Sequence, residues 1–579
     1  MANISEVIVI GSGAGGGMMA HTLTQAGINV LMLEGGRSFD PETETAMFQL
    51  PKEAPLLAER TPDKNAGFYD ANIGGRDFPD EPYTEDKSEG SNGFRWWRSR
   101  QLGGRTHHFG RQTPRYGPED FKTFTHTGKE VDWPVSYADM EPYYDRTEKL
   151  IGIFGPDADE AVYNSPQPPN HIRQKPPAPR ISEMIFAKAC AKMGIKTHAH
   201  PTAILTSPMG DRSACFYATN CIRGCSIGAA FDSVTSFIKP AKKSGKLKVI
   251  TDAYVAKIIT DEDGKKATGV VYVDRTSGEH KEIKASVVVL AASSMASSRI
   301  LLNSKNKSAP NGVANSSGMV GRYLSDTIGS YLWIQVPELQ NAPPHNEDGV
   351  SQPHIYAPWW LHGEEKKKAG ADFSGGYKLE VNPYGGGRFG PPSPNDTFKH
   401  LLYGRKGLYG KKLKDHLRSS YGSIFGIRCL GGMTVNENCY LTIDPDVKDR
   451  WGIPVPKFHW KWSDDDFSRA THMNKTLHEL AKNMGAIVIR DEFDEDRKAG
   501  RVLQDGGGVN HEVGGCRMGD DAKTSVLNKF SQTWDVDNLY LADGAPFVTH
   551  AEKNPTLTIM ALAMRAADNI IERLKNNDL

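Results

Sequence analysis

Residues 7–36 read VIVIGSGAGGGMMAHTLTQAGINVLMLEGG. Gly11, Gly13 and Gly16 form G-x-G-x-x-G directly after a predicted strand (VIVI) and at the mouth of a predicted helix. Glu34 closes a second strand about 20 residues on, where a carboxylate can receive a ribose hydroxyl. Gly11 allows the tight turn, Gly13 admits a pyrophosphate to the backbone, and Gly16 lets helix and strand pack closely. The helix N-terminus then faces the anion. With 58 glycines in the chain, the three-glycine spacing alone says little. The full strand–turn–helix–strand–Glu unit predicts a dinucleotide site.

The 579 residues allow about four units at ~150 residues per domain, or one large two-domain enzyme. Lys+Arg and Asp+Glu both number 70, so nothing in the charge invites nucleic acid or an anionic membrane. No apolar run approaches the ~18 residues that span a bilayer. The chain opens MANISE and enters the first strand at once, without a basic, apolar leader. Alone, that start reads as cytoplasmic. Seven cysteines are too few for a disulfide scaffold.

Beyond the first unit, 268–290 and 247–260 alternate like strands, and VVVL runs into a helix at AASSMASSRILLN. Helices are predicted at YADMEPYYDRTEKLIGIFG, 182–193, 464–484 and NPTLTIMALAMRAADNIIERL, with a strand at AIVIR. Residues 340–420 lack periodicity and are expected to form long loops. Strand-like runs return at 421–460.

Six motifs follow in order: GSGAGG…LEGG, RQLGGRTHHFGRQTPR, DWPVSYADMEPYYDR, VGRYLSDT, NHEVGGCRMG and ADGAPF…NPTLTIMALAMRAAD. Together they resemble the glucose–methanol–choline (GMC) oxidoreductases, FAD enzymes that oxidise alcohols. The resemblance spans the chain except 340–420. It implies an α/β fold: a Rossmann-like FAD-binding domain from 1–150, 200–330 and 505–579, and an α+β substrate domain with an antiparallel sheet over 331–504. The site is expected where the two meet.

On the same resemblance, His511 in HEVGGCRMG is the catalytic base and Asn554 in NPTLTIM its partner at the substrate oxygen. An imidazole suits the proton step because its pKa lies near neutrality. The plainer readings are a structural histidine and a helix cap before Pro555. Gly103, Gly104, Thr106 and His108 match the flavin-contacting loop; in some members a His at the position of His108 carries the flavin covalently. Asp543 falls near the ribityl chain, and Val255, beside Tyr254, near adenine.

Cys215, Cys221 and Cys225 are spaced C-x5-C-x3-C within residues 213–230. Three thiolates so close can hold three irons of a cluster. A zinc site borrowing His198 or His200, or plain buried cysteines, are the alternatives. The spacing resembles that of bacterial FAD sugar dehydrogenases carrying a [3Fe-4S] cluster, among them glucoside 3-dehydrogenases, glucose dehydrogenases and gluconate 2-dehydrogenases. That likeness implies oxidation of a sugar hydroxyl, favoured at C3 of a glucoside, with C1 of glucose or C2 of gluconate as alternatives. Electrons would leave through the cluster to a cytochrome c, since no C-x-x-C-H haem site occurs here. It further implies a small twin-Arg-bearing subunit and a periplasmic location, membrane-associated through partners only. A dioxygen-using alcohol oxidase, a non-catalytic flavin carrier and an NAD-dependent dehydrogenase are the remaining alternatives.

Overall fold

Val7, Ile8, Val9 and Ile10 are all buried. An unalternated apolar run of this kind suits a strand covered on both faces, where each such side chain contributes about 1.5–3 kcal/mol. In the computed structural model, which describes residues 5–45, 74–169, 172–217, 221, 224–342, 352–382, 402–403, 407–498 and 503–579, that strand is β1 (Ser5–Ile10). It runs into α1 (Ala14–Gln25) and pairs in parallel with β2 (Val30–Leu33). β3 (Leu247–Ile250) extends the sheet beyond β2. β4 (Ala253–Thr260), β5 (Ala267–Asp274) and β6 (His280–Leu290) form an antiparallel meander.

β6 serves two pairings. Its first half pairs antiparallel with β5, and Ala285–Leu290 continues in parallel beside β1. A strand at Leu539–Leu541, from the far end of the chain, closes the other side of β6. The small residues after β6 lead into α2 (Ser294–Asn303), as the sequence predicts. The helices predicted at 182–193 and after Tyr137 also form, at Ile181–Lys192 and Tyr137–Ile151.

A second, antiparallel sheet has the order β8–β9–β7–β10, from β7 (Thr327–Gln335), β8 (Tyr377–Asn382), β9 (Ile424–Gly432) and β10 (Ile487–Asp491). α3 (Asp464–Asn483) lays Met473, Leu477 and Leu480 on one face of it. β8 departs from the expectation of loops over 340–420. Its alternating Tyr377, Leu379 and Val381 are fully buried, and pairing with β9 supplies the order that a six-residue segment cannot carry alone. The Gly- and Pro-rich passage at 383–401 lies outside the described residues.

Each sheet has its own apolar core. α2 joins them: Ile300 and Leu301 pack in the first core, Met295 in the second, and Leu302 touches both. α4 (Thr556–Lys575) packs on α1 in the first core. Among the described residues, no helix is long and apolar enough to cross a membrane.

Close packing at the first turn gives a test. A Cβ on Gly16 would stand 2.1 Å from the Gly11 carbonyl oxygen and 3.1 Å from Ala291 Cβ. Gly16→Val should lower stability by about 3 kcal/mol, the upper part of the overpacking range. A falling urea midpoint at unchanged slope checks it; an unmoved midpoint refutes the packing role.

Candidate active site

A cleft of about 1420 Å³, counted with its open mouth, runs along the carboxyl edge of the first sheet. Of the residues expected from sequence, Gly11, Gly13, Glu34, Gly104, Thr106, Val255, His511, Asp543 and Asn554 line it. Gly16, Gly103 and His108 stand behind the lining. His108 is buried with its ring edge-on to Trp97, centroids 5.0 Å apart.

The cleft suits a dinucleotide on three observations. α1 begins at the cleft wall with no side chain capping its N-terminus, which leaves its first N–H groups for an anion. A Cβ on Gly13 would meet nothing within 4 Å, so the backbone there is bare to the cleft. At the other end, buried Arg299 stacks on Tyr254 at 4.7 Å and donates to the Val255 carbonyl, while its Nε and one terminal nitrogen have no protein acceptor.

Glu34 is held rather than loose. One oxygen accepts from the Ser12 amide (3.1 Å) and hydroxyl (2.5 Å), the other from the Gly36 amide (2.7 Å). Burial raises its pKa, and these donors oppose the rise. The Ser12 hydroxyl also accepts from the Gly103 amide at 2.8 Å, tying the glycine turn to the second glycine loop. Asp543 accepts from Ser297 (2.5 Å) and from the Ala545 amide (2.8 Å), and burial lifts it to about 6.

His511 and Asn554 meet. His511 Nε2 lies 3.0 Å from Asn554 Nδ2, and Nδ1 lies 2.9 Å from the Thr327 hydroxyl. An amide nitrogen only donates, so Nε2 is the acceptor and Nδ1 carries the proton. The His511 amide donates to Asp326 at 2.9 Å, and Glu512 pairs with Arg105 at 2.8 Å. These contacts clamp the histidine loop to β7 and to the glycine loop. Burial first, then the positive surroundings of His550, Lys378, Arg105 and Arg428, hold the His511 pKa well below its usual value. The result is a neutral imidazole with one accepting lone pair at the cleft wall.

The face of the second sheet turned toward this pair is polar. Tyr331, Arg428 and Glu380 sit in one cross-strand row of β7, β9 and β8, with Lys378 in the next row. Glu380 accepts from Arg428 Nε at 2.6 Å and from Gln112 at 3.1 Å. Burial would raise its carboxyl, but Arg428 and Lys378 outweigh that and hold it at about 2. None of Thr327, Lys378, Glu380 and Arg428 was legible as a site residue. Thr327 follows VGRYLSD, and Lys378 and Glu380 alternate with apolar neighbours as on any solvent-facing strand.

Cys215, Cys221 and Cys225 share a small apolar cluster with Phe154, Ile204 and Ala229. The Tyr217 amide points at Cys215 Sγ (3.3 Å) and the Ala230 amide at Cys225 Sγ (3.5 Å). Burial, and then the neighbouring Cys221, push the Cys215 thiol up to about 12; burial also raises Cys225. Among the described residues no group of three His, Cys, Asp or Glu is arranged as a ready metal site. Residues 218–220 and 222–223, between the cysteines, lie outside the description. His200 has both ring nitrogens engaged, Nδ1 at the Pro201 carbonyl and Nε2 at Lys378, while His198 bonds Glu160 through Nδ1. Cys221 and Cys225 are buried and Cys215 half-buried, and with N–H groups at two of the sulfurs they offer donors of the kind an iron–sulfur cluster would take.

Arg111 ties the cysteine segment to the glycine loop. Fully buried, it donates to the carbonyls of Cys221 (2.6 Å), Phe109 (2.7 Å), Thr106 (3.0 Å), His107 (3.1 Å) and Phe231 (3.2 Å).

Two family models, both described as GMC oxidoreductase, match residues 77–328 and 435–563. The chain belongs to the GMC oxidoreductases. The chain is 31% identical to a 2-methyl-1,2-propanediol dehydrogenase of Mycolicibacterium austroafricanum, over 99% of this chain and 96% of the relative. It is 29% identical to the fructose dehydrogenase large subunit of Gluconobacter japonicus, over 99% and 98%. Among solved structures, pyridoxine 4-oxidase from Mesorbium loti superposes with a TM-score of 0.63 over 98% of this chain and 99% of that one. At 15% identity that match speaks for the fold alone. As a GMC oxidoreductase the protein is an FAD-type enzyme that acts on the CH–OH groups of sugars or alcohols.

The depressed His511 pKa carries a pH prediction. A base with a lowered pKa keeps its lone pair until the pH falls through the lower value. kcat/KM for alcohol oxidation should therefore stay level as pH falls from neutrality through 6.5, the ordinary imidazole value, and decline only in more acid solution. A sigmoid centred on 6.5 would contradict the buried, neutral assignment.

Proposed function

We propose that this GMC oxidoreductase is a sugar dehydrogenase that oxidises a ring hydroxyl of a hexose or glucoside, C3 first among the positions to test. The polar sheet face carries this reading. Lys378 touches Asn554, and Glu380, Arg428 and Tyr331 lie in the adjoining cross-strand row, so charged and hydrogen-bonding side chains back the His511–Asn554 pair. A polyol presents several hydroxyls at once, and fixed charged partners can hold them in register. The likeness to a fructose dehydrogenase large subunit points the same way.

FAD, bound along the cleft, supplies the hydride acceptor. The chain itself handles orientation and the proton. With substrate bound, the direct Asn554–His511 contact would open, so that Asn554 Nδ2 donates to the substrate oxygen and His511 Nε2 takes the hydroxyl proton. Thr327 receives the opposite Nδ1–H and stops the ring from turning. Cys215, Cys221 and Cys225 would hold an iron–sulfur cluster, which supplies one-electron transfer toward a cytochrome. The Arg111 carbonyl contacts support that reading by keeping the cysteine segment against the cofactor loop. By family resemblance, a small twin-Arg-bearing subunit carries the protein to the periplasm. A second reading, oxidation of a small vicinal diol, is favoured by the likeness to 2-methyl-1,2-propanediol dehydrogenase and shares the same residues.

Dye reduction with methyl glucoside, glucose, fructose, gluconate and 1,2-propanediol, followed by NMR of the product, tests the substrate class. A 3-keto product is expected from methyl glucoside; turnover confined to the diol would overturn the sugar reading. His511→Ala should lose 10²–10⁴-fold in turnover, the span of general-base catalysis, while staying yellow. Wild-type rates in that variant would refute the base. Cys221→Ser should still bleach its flavin with substrate but fail to reduce cytochrome c. The wild-type protein should show broad brown absorbance that this variant lacks, and identical spectra would remove the cluster.

A further inference from the structure

Lys378 is 2% exposed and stands behind the active-site pair, outside the cleft lining. Its ammonium has three N–H donors and finds three acceptors: Asn554 Oδ1 at 2.7 Å, Gln112 Oε1 at 3.1 Å and His200 Nε2 at 3.2 Å. Glu380 pairs with it at 3.5 Å, a longer contact than any of these three, and is bound more closely by Arg428 and Gln112. A buried lysine whose shortest contact is to a carboxamide oxygen, with its carboxylate partner farther off at 3.5 Å, calls for a further explanation.

The explanation lies in the carboxamide it touches. A side-chain amide has an accepting end and a donating end of almost equal size, and packing barely distinguishes them. An ammonium can only donate, so it selects the oxygen. Asn554 is then turned with Nδ2 toward His511, and His511 Nε2 can only accept. With Nδ1–H facing Thr327, the tautomer is settled two residues from the charge that settles it. With Lys378 absent, the amide could turn over, present its oxygen to Nε2 and draw the proton there. That tautomer has no lone pair for a substrate hydroxyl.

We propose that Lys378 is a positioning residue: its ammonium locks the Asn554 carboxamide and so keeps Nε2 of His511 as the proton acceptor. The proposal rests on the reading of His511 as the base. A second effect follows from charge. Lys378 faces Glu380 and Arg428 on the sheet, His200 and Gln112 from the loops beside it, and Asn554, Glu552 and His511 from the C-terminal segments. Its positive charge is among those that disfavour the imidazolium of His511.

The test is a mutant cycle on the holoenzyme, read with the fastest substrate of the dye-reduction panel. Lys378→Met should retain flavin, lose about 10–100-fold in kcat, as misplaced catalytic groups do, and move the acid limb of kcat/KM to higher pH. Lys378→Met combined with Asn554→Ala should be no slower than Asn554→Ala alone, because the lysine works through the amide. Should Lys378→Met not fold, Lys378→Gln removes the charge while keeping a donor, and the acid limb should move in the same direction. Wild-type kcat with an unmoved acid limb, or additive losses in the double variant, would overturn the proposal. His511→Ala, measured alongside, separates the two failures: a fast His511→Ala sinks the base itself, a fast Lys378→Met only its positioning.

Discussion

The whole site hangs from one edge of one parallel sheet. β1 ends at Ile10, β2 at Leu33, β6 at Leu290 and the late strand at Leu541. Gly11, Glu34 and Ala291, the next residues of the first three, and Asp543, two residues past the fourth, line the cleft. Parallel strands deliver all their carboxyl ends to one side, so four distant parts of the chain converge without any loop being long. Shift β1 by one residue and each of its side chains changes face, the glycine turn leaves the edge, and the cleft goes with it.

Above that edge the second sheet supplies chemistry rather than support. Its far face is apolar and packs under α3; its near face carries Tyr331, Arg428, Glu380 and Lys378. Buried charge is tolerated only when hydrogen bonding is complete. Here Arg428, Gln112 and Lys378 answer Glu380, and Lys378 also finds three neutral acceptors. The same surroundings, low in water and positive in sign, keep His511 neutral. Rigidity and the neutral state of His511 thus come from one network.

The cysteine segment is fastened differently. Its link to the cofactor loop is the Arg111 guanidinium, which gathers five carbonyls from two stretches of chain, residues 106–109 and 221–231. Arg111 takes a positive φ of 59° to do so, an uncommon state for a residue with a Cβ. A local cost of that sort fits a place where two functional segments must stay in contact.

By itself the sequence determined the nucleotide-binding unit, because every requirement of that unit is local: strand, turn, helix and acidic residue fall within residues 7–34. It also singled out His511 and Asn554, which the fold brings within 3.0 Å of each other, because their flanking motifs are contiguous. What tertiary structure decided was which faces meet. Lys378 and Glu380 alternate with Tyr377, Leu379 and Val381, and a period of two cannot say whether the polar side meets water or a second domain. Thr327 lies 184 residues before His511, and no spacing rule joins them. His108 sits beside the glycine loop in sequence yet turns to Trp97, because burial and not adjacency governs which way a side chain points.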